Sequence, residues 1–258
     1  ETLLIPSMDG GWQKTNHVYF QTDELISLLG NNKSIWIDKS RLHGSRSVTA
    51  FINNLGVLQK PIAAHLTDRL LGIAEAFSPD VKARKSSEKV FYELFDIYQE
   101  NQSDSSISNS VSRLLSISCL PVDGDFENWH IPQEIYAPFR YQAFSSQAAV
   151  LDFKNTQRIN SDLKLLSVLG ISIRPETQLV VDHLLYCVEK GLAVNNVVYQ
   201  VLNERARDSD TEIYQLCGTT CIYLNTQKRY VRPNQLYLIP QQLGKHSFSV
   251  PSELDQYK

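Results

Sequence analysis

The chain has 258 residues, of which 42 % are hydrophobic and 21 % charged, with a formal net charge of −3. That is enough apolar material for one large domain or two ordinary ones. The balance excludes the strongly basic field that draws a protein to nucleic acid or anionic lipid, and no apolar run reaches the roughly 18 residues of a membrane span.

Glu1 stands first and the one Met is Met8, which predicts an excised or processed piece of a longer chain. Its opening, "ETLLIPSMDGGW", has no basic region followed by an apolar one and so no signal peptide. Then "LLIPS", the turn "DGG" and "HVYF" alternate around Asp9-Gly10, the pattern of a β-hairpin. "SIWID" predicts another short strand, and the loop after it carries Lys39, Arg41, His43 and Arg46. Ser47 is placed as the cap of a first helix.

That helix ends in "FINNLGVLQKP". Gly56 suits the left-handed position just past a helix end, where a residue without Cβ costs least. Val57 then folds back on Ile52, and Pro61 falls in the first turn of the next helix, where no N–H bond is lost. Ile62, Leu66, Leu70 and Ile73 give that second helix an apolar stripe. A third helix is predicted over 87–101, and the Ser-rich stretch 102–112 reads as a flexible connection.

The same order then recurs. "CLPVDG" answers "LIPSMDG", "AVLDF" answers "SIWID", and a loop with Lys154 and Arg158 leads through Ser161, a second helix cap, to "LLSVLGISIRP". Gly170 and Pro175 take the places of Gly56 and Pro61. A helix with Val180, Leu184 and Cys187 follows, closed by Gly191, and then another over 195–207. A third opening, "CIYLNTQKRYVRPNQLYL", parallels "CLPVDGDFENWHIPQEIYA". Internal periodicity of this kind predicts an α+β tandem repeat, each unit a small antiparallel hairpin or sheet followed by three helices. The units run 1–101 and 113–208 around the connection 102–112, and a truncated third unit, hairpin only, occupies 209–258.

With "FINNLGVLQKP" and "LLSVLGISIRP" each preceded by an "IP…DG"-type hairpin ending in "VYF" or "EIYA", the chain resembles the repeat regions of very large sacsin-like and NO VEIN-like proteins. In that group a GHKL-type ATPase module stands ahead of long repeated α+β segments. The resemblance implies a chaperone-like or scaffolding segment of a large ATP-dependent protein, binding a protein client or other domains of its own chain. The chain departs from the ATPase part: it has no Asn-bearing helix motif and no Asp-x-Gly-x-Gly loop, so no nucleotide-binding residue transfers.

Four sharper chemistries are weighed against a non-catalytic role, for which no cofactor and no metal is expected. Asp152-Phe153-Lys154 at a strand end, with Asp123 or Asp125 upstream, has the composition of a metal-dependent nuclease: carboxylates for Mg²⁺ and a Lys to polarise the phosphate. A solvated strand end is the competing reading. The loops holding Lys39, Arg41 and Arg46, and Lys154 and Arg158, would form a phosphate or nucleic-acid patch if they met; otherwise they are solvated connectors, which is the favoured reading. Cys217 and Cys221 have an allowed zinc spacing but no second pair; the alternation after Cys221 predicts a strand residue. A helix-turn-helix is disfavoured because the second helices offer Thr67, Asp68 and Glu75, or Glu176, Asp182 and Glu189, where DNA readers carry Arg and Lys. His65 and His183 lie beside core stripes and read as packing residues. No Gly-x-Ser-x-Gly elbow is present. Trp12, Trp36 and Trp129 fall on hairpin or strand positions that pack hairpins onto helices.

Overall fold

The computed structural model describes residues 3–42, 50–52, 54–101, 103–155, 158, 163–207, 211–225 and 227–235. Helices and three two-stranded antiparallel sheets make up an α+β fold. The chain divides into two compact units, Glu1–Gln133 with Val168–Gly170, and Glu134–Ser167 with Ile171–Lys258. These boundaries differ from those of the repeat reading, because each unit takes in the hairpin that follows its helices.

The first unit opens with β1 (Leu4–Pro6) and β2 (Trp12–Lys14), paired from Leu4 with Lys14 to Pro6 with Trp12. This corrects the expected hairpin. The returning strand is not "HVYF" but the stretch before it, because Asp9 closes the turn early, accepting from Ser7 Oγ and the Gly11 N–H. "SIWID" forms no strand either. Single bridges hold it instead: Ser7 to Ile37, and Tyr19 to both Trp36 and Leu58.

Helix α1 (Asp23–Leu29) begins at Thr22, whose side chain accepts from the Leu25 N–H, and carries Asp23 and Glu24 in its first turn, where the helix dipole favours anions. It ends at Gly30, at φ +73°. The helical residues 50–52 and 54 lead to Gly56, at φ +84°, the left-handed turn expected. Val57 and Ile52 share a buried cluster with Ile5, Val18 and Ile37.

Helix α2 (Ala63–Ala76) has Ile62 as its N-cap, so Pro61 stands before the cap and not in the first turn. The Ile62 N–H is given to the Tyr19 hydroxyl at 3.2 Å, and the helix starts at Ala63. Leu66, Leu70 and Ile73 are buried as the stripe predicts.

Helix α3 (Val81–Glu100) starts six residues ahead of the expected 87, because Asp80 caps it through the Ala83 N–H at 2.7 Å. The Ser-rich stretch is no flexible connection: Ser105–Ser112 is helix α4. Asp104 caps it through the Ser106 N–H, Ile107 and Val111 lie buried four residues apart, and Ser110 and Ser112 satisfy their hydroxyls on the carbonyls of Ser106 and Ser108. Strands β3 (Leu120–Val122) and β4 (Asp125–His130) then pair with a register shift.

In the second unit Tyr136 bridges Val150 and Ser172 in parallel. Helix α5 (Leu163–Val168) leads to Gly170, which together with Val168 falls in the first unit; its φ is +73°, and the Ile171 N–H returns to the Leu166 carbonyl at 2.9 Å, a Schellman closure. Helix α6 (Thr177–Lys190) has Glu176 at its N-cap position, with no side-chain capping bond, so Pro175, like Pro61, precedes the cap. It ends at Gly191. Helix α7 (Asn196–Arg207), a 3-10 turn at Thr211–Leu216, and strands β5 (Ile222–Leu224) and β6 (Arg229–Val231) complete it. Val180, Leu184, Val198 and Leu202 form the centre of one apolar cluster that reaches Cys221 and Tyr223.

Candidate functional site

The polar and aromatic groups that do most in this fold hold hairpins to helices. On α3, Arg84 falls on the buried stripe with Phe91, Leu94 and Phe95 and is 6 % exposed. Its guanidinium donates to three carbonyls, of Pro79 at 2.6 Å, Val122 at 3.0 Å and Asp125. The Phe126 ring lies 4.2 Å from its carbon. A buried cation is tolerable when several oxygens take the place of its water. On the same hairpin Trp129 donates its indole N–H to the Phe77 carbonyl at 2.7 Å.

A Tyr fills the corresponding place in the second unit. The Tyr199 hydroxyl of α7 donates to the Cys221 carbonyl at 2.9 Å and accepts the Tyr223 N–H at 2.8 Å. Tyr230 donates to the Leu192 carbonyl at 2.6 Å. Between α6, α7 and the hairpin lies an apolar cavity of about 450 Å³, lined by Leu184, Tyr199, Leu202, Ile213 and Leu216 with both Cys217 and Cys221. Burial and the neighbouring Cys217 push the Cys221 thiol up to about 11.

Two histidines, His65 and His183, act as cross-links. His65 meets the Tyr19 hydroxyl through Nδ1 at 2.9 Å. Burial lowers the His65 pKa below its usual value and raises that of Tyr19 to about 12. His183 meets Ser146 Oγ through Nδ1 at 2.6 Å, with Cys187 Sγ 3.8 Å from Nε2. Burial depresses His183 and raises Cys187, the reverse of what an imidazolium–thiolate nucleophile needs.

No family model, curated protein or solved structure matches the chain.

The residues singled out by sequence are dispersed. Lys39 and Arg41 lie on a 3-10 turn of the first unit, Lys39 5.5 Å from the Phe20 ring and Arg41 5.2 Å from that of Trp12. Arg41 also donates to the Gly10 carbonyl at 3.0 Å. Arg46, His43, Ser47 and Ser161 fall outside the described residues. Lys154 and Arg158 belong to the second unit; the Arg158 N–H is held by Asn155 at 3.2 Å.

Of the nuclease set, Asp123 and Asp125 belong to the first unit, and Asp152 and Lys154 to the second. Lys154 pairs with Asp152 at 2.8 Å. The Asp125 carboxylate takes His130 Nε2 at 2.9 Å and the N–H groups of Glu127 and Asn128 at 3.0 Å each, so its pKa falls well below the usual range. Its bonds close the β3–β4 turn. Among the described residues no group of three or more His, Cys, Asp or Glu is placed to hold a metal ion. Among them, too, no helix is long and apolar enough to cross a membrane.

Sequence reasoning missed Arg84, Tyr199 and the Tyr19–His65 link. Arg84 did leave a signal, a cation on the apolar stripe of a helix, which is placed there only when oxygens await it.

Proposed function

We propose that this chain is a non-catalytic repeat segment of a larger, sacsin-like protein, and that it positions a protein client or a partner domain. The observation that carries the reading is a doubled joint. Tyr19 bridges a residue from the "SIWID" run and one just past Gly56, and Tyr136 bridges a residue from "AVLDF" and one just past Gly170. Both glycines have positive φ and both prolines precede a helix cap. Low sequence identity with the same joint in the same order is what a repeated unit leaves behind once its surface has diverged. The cytoplasmic setting rests on the four Cys, too few in 258 residues for a disulfide framework, and the ATP-dependent remainder of the chain follows from the resemblance.

The mass of the native polypeptide tests the proposal, read by immunoblot with an antibody raised against this chain. A band far above 29.4 kDa is expected. A band at that mass would leave a free-standing protein and contradict the proposal. So would Mg²⁺- or Mn²⁺-dependent cleavage of nucleic acid by the folded chain that Asp152→Ala abolishes, since that is the rival reading.

A further inference from the structure

Two of the three hairpins are clasped in the same way. In β3–β4, Cys119 is 1 % exposed and Trp129 gives its N–H to the carbonyl of Phe77. In β5–β6, Cys221 is 2 % exposed and Tyr230 gives its hydroxyl proton to the carbonyl of Leu192. Phe77 is the C-cap of α2, and Leu192 follows Gly191, the C-cap of α6. Each aromatic thus supplies a donor at a helix end, where carbonyls lack an intrahelical partner.

The first hairpin has the same parts in the same places. Ile5-Pro6 answers Leu120-Pro121, which sets Leu4 at the position of Cys119 and Cys221. Trp12 pairs with Pro6 and Tyr230 with Tyr223, while Trp129 is next to His130, the partner of Leu120. Yet Leu4 is 56 % and Trp12 59 % exposed. Among the described residues no acceptor meets the Trp12 Nε1. The ring is nonetheless held, with Arg41 packed over it and tied in turn to the Gly10 carbonyl.

We infer that the Leu4–Trp12 face is a docking surface for a helical layer carried ahead of it in the same polypeptide, Trp12 donating to the carbonyl that ends that layer's second helix. The inference rests on the repeat reading above. Continuity with the two clasped hairpins selects the occupant, because in both cases the acceptor lies at the end of a helix that precedes the hairpin in the chain. In a second copy of this chain the two carbonyls in that position, of Phe77 and Leu192, already accept from its own hairpins.

Thiol labelling tests this. Leu4→Cys is made together with Cys217→Ser, which removes the exposed native thiol and leaves Cys119, Cys187 and Cys221 buried. A polyethylene-glycol maleimide is then applied to this chain alone and to the native-length polypeptide carrying the same changes. Both positions are exposed here, so the fold is expected to survive. The expected result is fast labelling of the chain alone and at least tenfold slower labelling in the longer polypeptide, with Trp12→Ala restoring much of the rate. Equal rates in a longer polypeptide would overturn the docking surface and leave the repeat reading standing. A native polypeptide no longer than this chain would overturn both. Protection of the chain alone that grows with its concentration would assign the face to self-association and overturn the inference too.

Discussion

At the scale of single residues, buried polar groups do the joining, and each has a measurable cost of removal. Arg84→Met keeps most of the side-chain volume but leaves the carbonyls of Pro79, Val122 and Asp125 without their donor. Bonds to a charged group carry about 1.5–3 kcal/mol each, with partial overlap among three on one guanidinium. Urea denaturation is therefore expected to show a loss of about 2–3 kcal/mol. His65 supplies a pH dependence with a definite sign. Its pKa is depressed in the folded chain by burial, against the opposing charge of Asp68. The unfolded chain then binds more protons below its own pKa of about 6.5, so stability is highest above that value and falls as pH drops through it. Urea midpoints at pH 7.5 and 5.5 should differ in that direction, and His65→Phe should reduce the difference.

At the scale of elements, caps decide where helices lie more than stripes do. Asp104 turns a Ser-rich stretch into α4 by accepting the Ser106 N–H at 2.8 Å. Asp104→Ala should cost about 1 kcal/mol, with faster amide exchange over 106–112 and little change in α2. The same residue shows what sequence conveys and what it hides. Gly56 and Gly170 were legible because positive φ has almost one occupant among the twenty residues. Helix α1 was not read at all, although Thr22, Asp23 and Glu24 mark its start, because seven residues give too little periodicity to stand out. The composition of 102–112 suggested a linker, yet Ile107 and Val111 four residues apart are enough to anchor a helix once packing is available. "SIWID" looked like a strand for the opposite reason: its residues have the alternation, but bridging by Tyr19 and Ser7 replaces a ladder. Arg84 and Tyr199 escaped because their partners are backbone carbonyls and N–H groups far along the chain, which no local pattern announces.

At the scale of the molecule, the first unit fastens β3–β4 to α2 and α3 and the second fastens β5–β6 to α6 and α7, and the proposed repeat rests on the like turns at Gly56 and Gly170. Gly56 and Gly170 are therefore the positions at which the proposed repeat is most directly probed. A β-branched side chain at positive φ costs roughly 1–2 kcal/mol, and a Cβ at Gly170 would also press on Gln133 at 2.9 Å, whereas Gly56 has open space. The deciding measurement is urea denaturation of Gly56→Val and Gly170→Val beside the parent chain. Both are expected to lose about 1–2 kcal/mol, Gly170→Val somewhat more. A substitution that is silent at one site and damaging at the other would mean that the two joints are not equivalent, and the chain would no longer read as a repeat.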